Sequence, residues 1–299
     1  MLKKIFITLT LSASLISAQS AGNSGVAFLK LGTGARNIAM SDLGVISGSE
    51  LTSIQYNPAQ LSVLRLTQLS FSHNSLFQDL SSEIFSASIV AFGLPFALNV
   101  NTTSISDIEI RNIPGDPISK FNANYFSAGL STAFNVIENL HAGVTFRYIY
   151  ENLYSDEASG YGFDLGVLYS GLINNLSVGA SLRNIGSMSM MRNESTKQPI
   201  DFRAGASYSI DFGQSKIKMN AIGGIQKYLD DESLHLHVGT ELVYDDAFFV
   251  RGGYLTGSDS KNISAGFGLK WKGLNIDYAY VPVKYGLGDN NIITFIYTF

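Results

Sequence analysis

The chain has 299 residues, no cysteine and a formal net charge of −4; 29 glycines and 34 phenylalanines and tyrosines stand against only 15% charged residues. A soluble domain averages ~25% charged, yet mean hydropathy is only +0.15, and no stretch after the leader holds ~18 consecutive apolar residues, which excludes a bundle of membrane helices. The 45% apolar content excludes a disordered chain, and the mild acidity leaves no basic face for nucleic acid. Apolar surface without a long apolar run is what alternating strands provide.

Residues 1–18 read as a secretory signal. Lys3 and Lys4 supply the positive start, Ile5 to Ile16 the apolar stretch, and Ser17-Ala18 the small-residue cleavage site. Their removal takes away two lysines and no acid, so the net charge goes from −4 to about −6. With no cysteine, neither a lipid anchor nor a disulfide framework is expected.

Residues 19–65 do not alternate. They are rich in glycine, with a helical candidate around Leu51 to Leu64. A run of this length without a spanning strand is expected to be functional or packed inside something, and Phe28, Leu29, Leu31 and Ile38 are too apolar for a tail left in water. The expected placement is a plug in the lumen of a barrel. Gly32 and Gly34 permit tight turns there. Arg36, a lone cation in an apolar stretch, needs a carboxylate or carbonyl partner, with Asp164, Glu241 and Asp277 as candidates. Asn57-Pro58 favours an extended residue followed by a helix start.

From residue 66 the pattern changes to period 2. In 140–151, Leu140, Ala142, Val144, Phe146, Tyr148 and Tyr150 share one face, opposite His141, Gly143, Thr145, Arg147, Ile149 and Glu151. The segments 161–169, 234–244 and 263–271 repeat this: one face is large and apolar, the other small, glycine-rich and sparsely charged. A soluble sandwich would place its charges on the outer face; a transmembrane barrel places apolar side chains towards lipid, with tyrosines near the interfaces. Inward glycines are expected to relieve crowding where the sheet curves. About 14 such segments run from 66–74 to 291–299, as an even-stranded barrel requires. Short turns follow the even segments, and longer polar connections (105–122, 152–159, 185–200, 255–261 and 282–290) follow most odd ones. The division is therefore 1–18 signal, 19–65 plug, 66–299 all-β barrel. Arg147, Glu151, Asp164, Arg183, Arg203, Glu241, Arg251, Lys270 and Asp277 fall on the inward face and predict a lumen filled by salt bridges. The chain closes on Ile293, Phe295, Tyr297 and Phe299, one face of a last strand. Such a terminal aromatic resembles the insertion signal of bacterial outer-membrane barrels, which implies the barrel insertion machinery and outer-membrane lipid as partners.

The chemistry of an enzyme is not visible. His235 and His237 stand two apart with Glu241 on the same face, a spacing that suits a metal, but the simpler reading is a polar lining. No G-x-S-x-G elbow stands in a strand-to-helix setting, and Gly32-Thr33-Gly34 lacks a βαβ context. No catalytic residue, metal or cofactor is assigned.

FLKLGTGARNIAM (28–40) followed by SIQYNPAQL (53–61) resembles the opening of the PorV/PorQ family, a branch of FadL-like outer-membrane proteins. The matching positions are Phe28, Leu29, Leu31, Gly32, Gly34, Ala35, Arg36, Met40, Tyr56, Asn57, Pro58, Ala59 and Leu61. The family usually has a glycine pair after the methionine, where this chain has Ser41-Asp42, and an acidic cluster before the N-P-A motif, of which only Glu50 remains. The resemblance implies an outer-membrane barrel of the type IX secretion system, binding exported cargo, the translocon or surface attachment proteins. FadL-like architecture implies the alternative, a transporter of hydrophobic compounds. The connections are short and mostly polar, with Met188, Met190 and Met191 the main apolar cluster. That composition favours the secretion reading.

Overall fold

A computed structural model describes residues 25–46, 50–192, 194–231 and 233–299. The expected signal segment 1–18 lies outside the described residues. Fourteen strands form a closed antiparallel barrel: β1 (Gln68–Ser75), β2 (Leu80–Ala91), β3 (Leu94–Ile110), β4 (Ser119–Ile137), β5 (Leu140–Leu153), β6 (Asp156–Ile173), β7 (Leu176–Met188), β8 (Asp201–Asp211), β9 (Ile217–Tyr228), β10 (Leu234–Tyr244), β11 (Phe248–Leu255), β12 (Ile263–Trp271), β13 (Leu274–Val281) and β14 (Asn290–Thr298). Each strand pairs with its sequence neighbours, and β14 returns to β1 in the register Gln68↔Thr298, Phe71↔Phe295 and Ser75↔Asn291. Closure leaves no free edge strand, so the ladders satisfy the backbone apart from a few bulges. No helix among the described residues is long and apolar enough to cross a membrane.

Alternation carries through to burial. Along β1, Gln68, Ser70, Ser72 and Asn74 are buried inside while Leu69, Phe71, His73 and Ser75 face out. Phe146, Phe163, Leu242, Phe267 and Trp271 stand on the outer wall, exposed to what surrounds the barrel. Phe295, Tyr297 and Phe299 lie on the same outer wall, the last two rings meeting edge to face at 4.9 Å.

The ladders overshoot several of the connections expected from sequence, with 185–188 still paired to 160–163. Polar residues 105–110 and 119–122 continue β3 and β4 as a ribbon past a bulge between Ile105 and Ile108, and Leu153 still pairs with Asp156. Beyond the apolar band a strand no longer needs an apolar face, so the sequence alternation stops before the hydrogen bonding does. The two ends of the barrel therefore differ. One end carries tight turns such as Phe92-Gly93 and Lys272-Gly273; the other carries the longer loops and the ribbon.

The N-terminal segment forms two short helices, α1 (Ala35–Ala39) and α2 (Gln60–Leu64), and two 3-10 turns, Ala27–Lys30 and Leu51–Gln55. The single helical candidate over 51–64 is thus two pieces. Pro58 has no N–H to continue the first, and Asn57 is held by its side chain instead. This segment lies inside the barrel and supplies most of the buried apolar core.

Candidate functional site

The lumen and the chain inserted in it form the candidate site. At the loop end, Val26, Phe28 and Leu29 pack on Ile149, Ala158 and Met188, with the Phe28 and Tyr125 rings stacked at 5.2 Å. Midway, α1 lies against β11, β12 and β13, and Ala35 and Ala39 touch Ala279 and Ile292. At the turn end, Leu51, Ile54, Leu61 and Leu64 meet Ala97 and Ala133. The chain therefore traverses the lumen from loop end to turn end before entering β1.

The wall is shaped to admit it. A Cβ at Gly143 would strike the Pro58 backbone, at Gly166 the Asn57 side chain, at Gly239 and Gly253 the backbone of Met40 and Ser41, and at Gly266 the Ala39 methyl. Gly143 and Gly166 are register partners, as are Gly239 and Gly253. Curvature alone does not account for these glycines: they give backbone-to-backbone approach for the inserted chain. The wall on β1 to β3 is instead lined by small hydroxyls and amides; Ser82 bonds Asn101 and Thr103, Asn99 donates to Ser86, and Ser72 bonds Thr294 on β14.

Three charged groupings fix the segment and the wall. Arg36 forms a bidentate pair with Glu241, both N···O distances 2.8 Å. Arg251 reaches the same Glu241 at 2.6 Å and Asp277 at 2.5 Å. Of the three carboxylates open to Arg36 from the sequence, register places Glu241 across from Arg251 on the neighbouring strand, under α1. In the second grouping, Asp201 accepts from Arg203 at 2.9 Å, from Arg183 at 3.2 Å and from Gln226 at 3.1 Å. Arg203 also donates to the carbonyls of Asp42 and Leu43, tying the wall to the segment. Its guanidinium lies 4.9 Å from the Tyr56 ring centre, and that of Arg183 lies 5.6 Å away. The Tyr56 hydroxyl donates to Asp42 Oδ1 at 2.5 Å and accepts from the Thr33 N–H. Burial first, then the neighbouring Asp42, pushes this phenol well above its usual range. The third grouping pairs Arg147 with Asp164, which also accepts the Asn184 N–H at 2.8 Å.

Asn57, Pro58 and Ala59 lock the turn end. The Asn57 amide donates to the carbonyls of Val45 and Val167 at 2.9 and 3.0 Å and accepts the Ala59 N–H. Gly34, at φ +77 with Thr52 packed against it, leads into α1, where the Ala35 N–H donates to Thr294. Phe28, Leu29, Leu31, Gly32, Gly34, Ala35 and Arg36 thus sit along one traverse of the lumen.

Two expected lumen charges differ from the rest. Lys270 is exposed. It has inward parity but stands one residue from the end of β12, where the wall gives way to solvent at the turn end. Glu151 is buried, but one of its carboxylate oxygens lacks a hydrogen-bond partner among the described residues. Asp201 is a lumen acid outside the expected set; its spacing of two from Arg203 on one strand is the signal for it. His235 and His237 do not converge on a common ligand. His237 bonds the Ser41 carbonyl at 2.6 Å and Gln226 at 3.2 Å, while His235 faces Thr256.

In the sequence Glu50 stands only as the remnant of an acidic cluster. It is buried within reach of Arg36, Arg251 and Asp277 and accepts from Thr52 at 2.9 Å. This neighbourhood holds three carboxylates (Glu50, Glu241, Asp277) and two guanidiniums. Burial, then Asp277, pushes the Glu50 carboxyl up to about 7 from an ordinary 4.5. A raised acid favours the docked state when protonated. Its contribution is full below pH about 4.5 and is lost as pH rises through about 7. The inserted segment should therefore loosen as pH rises from 5 to 8. Glu50→Gln should flatten that dependence. Hydrogen exchange of residues 35–64 at the two pH values is the check, and an equal pH response in the variant would remove Glu50 as its source.

At the loop end a small, partly open cavity of about 60 Å³ lies between the inserted segment and the wall. Leu31, Ile38, Leu76, Phe77, Leu255 and Ile292 give it apolar walls, and Ser41, Asp42 and Lys261 are among its polar lining.

The family model for type IX secretion system membrane proteins of the PorP/SprF type matches residues 118–295, well over half of the chain. The chain belongs to the PorP/SprF family. This PorP/SprF member has no match among curated proteins. Its structure is similar to that of the Ralstonia pickettii toluene transporter TbuX, with a TM-score of 0.62 at 14% identity over 90% of this chain and 98% of that one. It is also similar to the P. putida toluene transporter TodX, with a TM-score of 0.62 at 13% identity over 90% and 99%. The monoaromatic hydrocarbon channel CymD gives 0.60 at 13% identity over 90% and 98%. At such identities the likeness shows a shared FadL-like barrel fold.

Proposed function

We propose that the protein is an outer-membrane component of the type IX secretion apparatus that binds exported or surface-attachment proteins at its loop end. The family match across 118–295 carries this reading. An inserted segment held by the buried Arg36–Glu241 pair and by Arg203 on its carbonyls supports it, because a lumen filled in this way suits a binding protein better than an open pore. Residues 1–18 serve as the export signal, the segment up to residue 65 as a plug, and Phe295, Tyr297 and Phe299 as the recognition strand for barrel insertion. The long-loop end then faces outward and the tight turns face the periplasm, as in other outer-membrane barrels. The motif over 28–61 supports a PorV- or PorQ-type role within the same system.

Affinity capture of the tagged protein from outer membranes tests the proposal. The translocon barrel or attachment proteins should co-purify, identified by mass spectrometry. Their absence under conditions that retain known translocon contacts would sink it.

A second reading, passage of a small apolar compound, is favoured by one observation. The cavity at the loop end is apolar and lies against the inserted segment, in a fold shared with hydrocarbon channels.

A further inference from the structure

Ser41 and Asp42 stand consecutively in the left-handed region, at φ +67 and +64. Residues with a Cβ rarely adopt this backbone, and glycine would take it without strain. Held strain of this kind marks positions whose side chains are wanted. Both side chains belong to the lining of the loop-end cavity.

Their polar atoms are unevenly satisfied. The Ser41 N–H donates to Ser264 Oγ at 3.1 Å, and its carbonyl accepts from His237. Its hydroxyl, on a residue only 4% exposed, has no hydrogen-bond partner among the described residues. A buried hydroxyl without a hydrogen bond costs about 1–3 kcal/mol. Asp42 uses Oδ1 for the Tyr56 hydroxyl, and Oδ2 has no hydrogen bond among the described residues. Gly32, also in the lining, leaves space for this carboxylate that a Cβ would fill. Elsewhere in the cavity, Ser264 donates to the Ala39 carbonyl, and Asn262 donates to the carbonyls of Leu255 and Ser258.

We propose that this cavity binds a neutral, mostly apolar alcohol, its hydroxyl seated between Ser41 Oγ and the Asp42 carboxylate. A hydroxyl both donates and accepts, so it can donate to Asp42 while pairing with Ser41 in either sense. A hydrocarbon of the same shape leaves both groups unmet. A carboxylate has no proton to donate to Asp42. An amine meets Lys261 in the lining, and the Asp42 charge is already faced by the Arg203 guanidinium. The walls of Leu31, Ile38, Leu76, Phe77 and Leu255 take the apolar body. This ligand class goes beyond the secretion reading and does not require that the compound cross the membrane.

Calorimetric titration of the full-length protein in amphipol with cyclohexanol, cyclohexane and cyclohexylamine is the test. The three probes share one ring and differ in the head group. Saturable binding is expected, with cyclohexanol preferred over the other two. Leu255→Trp, which fills the cavity, should abolish it and leave only non-specific partition. Ser41→Gly relieves backbone strain and removes the hydroxyl. Its melting temperature should not fall, while its preference for cyclohexanol over cyclohexane should drop about fivefold to tenfold, the worth of one hydrogen bond. Equal binding of alcohol and hydrocarbon by the natural protein, an unchanged preference in Ser41→Gly, or binding indifferent to Leu255→Trp would each overturn the proposal. Failure here leaves co-purification with secretion partners untouched, so the two readings fail separately.

Discussion

A chain lacking residues 25–62 is expected to insert as a barrel and to conduct ions in planar bilayers. The natural chain should be closed or several-fold less conductive. The barrel has its own closed ladder, with β14 joined to β1 over eight residue pairs, so its strands do not depend on the segment for backbone partners. The segment itself fills the lumen from Val26 at the loop end to Leu64 at the turn end. Its removal takes away Met40, Leu43, Val45 and Ile46 from the central core and exposes a wall of glycines, hydroxyls and paired charges. Water can solvate such a wall, whereas it could not solvate an apolar core. A lumen of this strand number is wide enough to fill with water once emptied. The check is single-channel recording beside a heat-shift assay of the folded barrel. Equal conductance for both chains would mean that the segment does not occlude the lumen. Loss of the folded barrel would mean that the segment is part of its core.

The fold was open to reading because its signal is repeated. Period-2 alternation appears in strand after strand, and the strands agree with the spacing of turns, so errors in any one segment cancel. The bounds 217–228 and 274–281 read from sequence coincide with β9 and β13. The ribbon of β3 and β4 escaped notice because residues 105–122 carry hydrogen bonds without an apolar face. The site was less legible. Parity assigns Arg147, Arg183, Arg203, Arg251 and their acids to the lumen, but parity carries no height, so Lys270 was grouped with them although it stands at the rim. Nor does parity choose between Asp164, Glu241 and Asp277 as the partner of Arg36. That choice follows from register between strands and from the path of the inserted chain, and both are long-range properties. The strain at Ser41-Asp42 was half visible: the pair stood where the resembled family has glycines, but its left-handed backbone needs the structure.

Replacing Arg36 by methionine should release the inserted segment while leaving the barrel folded. Arg36 is the segment's own cation in the central charge grouping, and it meets Glu241 through two N–H···O bonds of 2.8 Å. Its side chain is 7% exposed and that of Glu241 is 2% exposed, so solvent screens the pair little. The pairing with Glu241 outweighs burial and holds the guanidinium protonated beyond its ordinary range. Without it, Arg251 is the one guanidinium left to Glu50, Glu241 and Asp277 among the described residues, and at neutral pH one or more buried carboxylates must go unpaired or take up a proton. Breaking one partner out of a buried pair costs about 3–5 kcal/mol. The barrel ladders make their hydrogen bonds without the segment, so the cost falls on docking. Amide exchange over residues 35–64 should accelerate by about two to more than three decades, at 1.36 kcal/mol per decade. Arg36→Met combined with Glu241→Gln removes a charge from each side, and its exchange should return part of the way towards that of the natural chain. The double variant separates a charge effect from lost packing, because methionine fills similar space in both. If exchange in Arg36→Met matches the natural protein, the pair is not what holds the segment. If the double variant is as fast as the single one, the lost contact was steric rather than electrostatic.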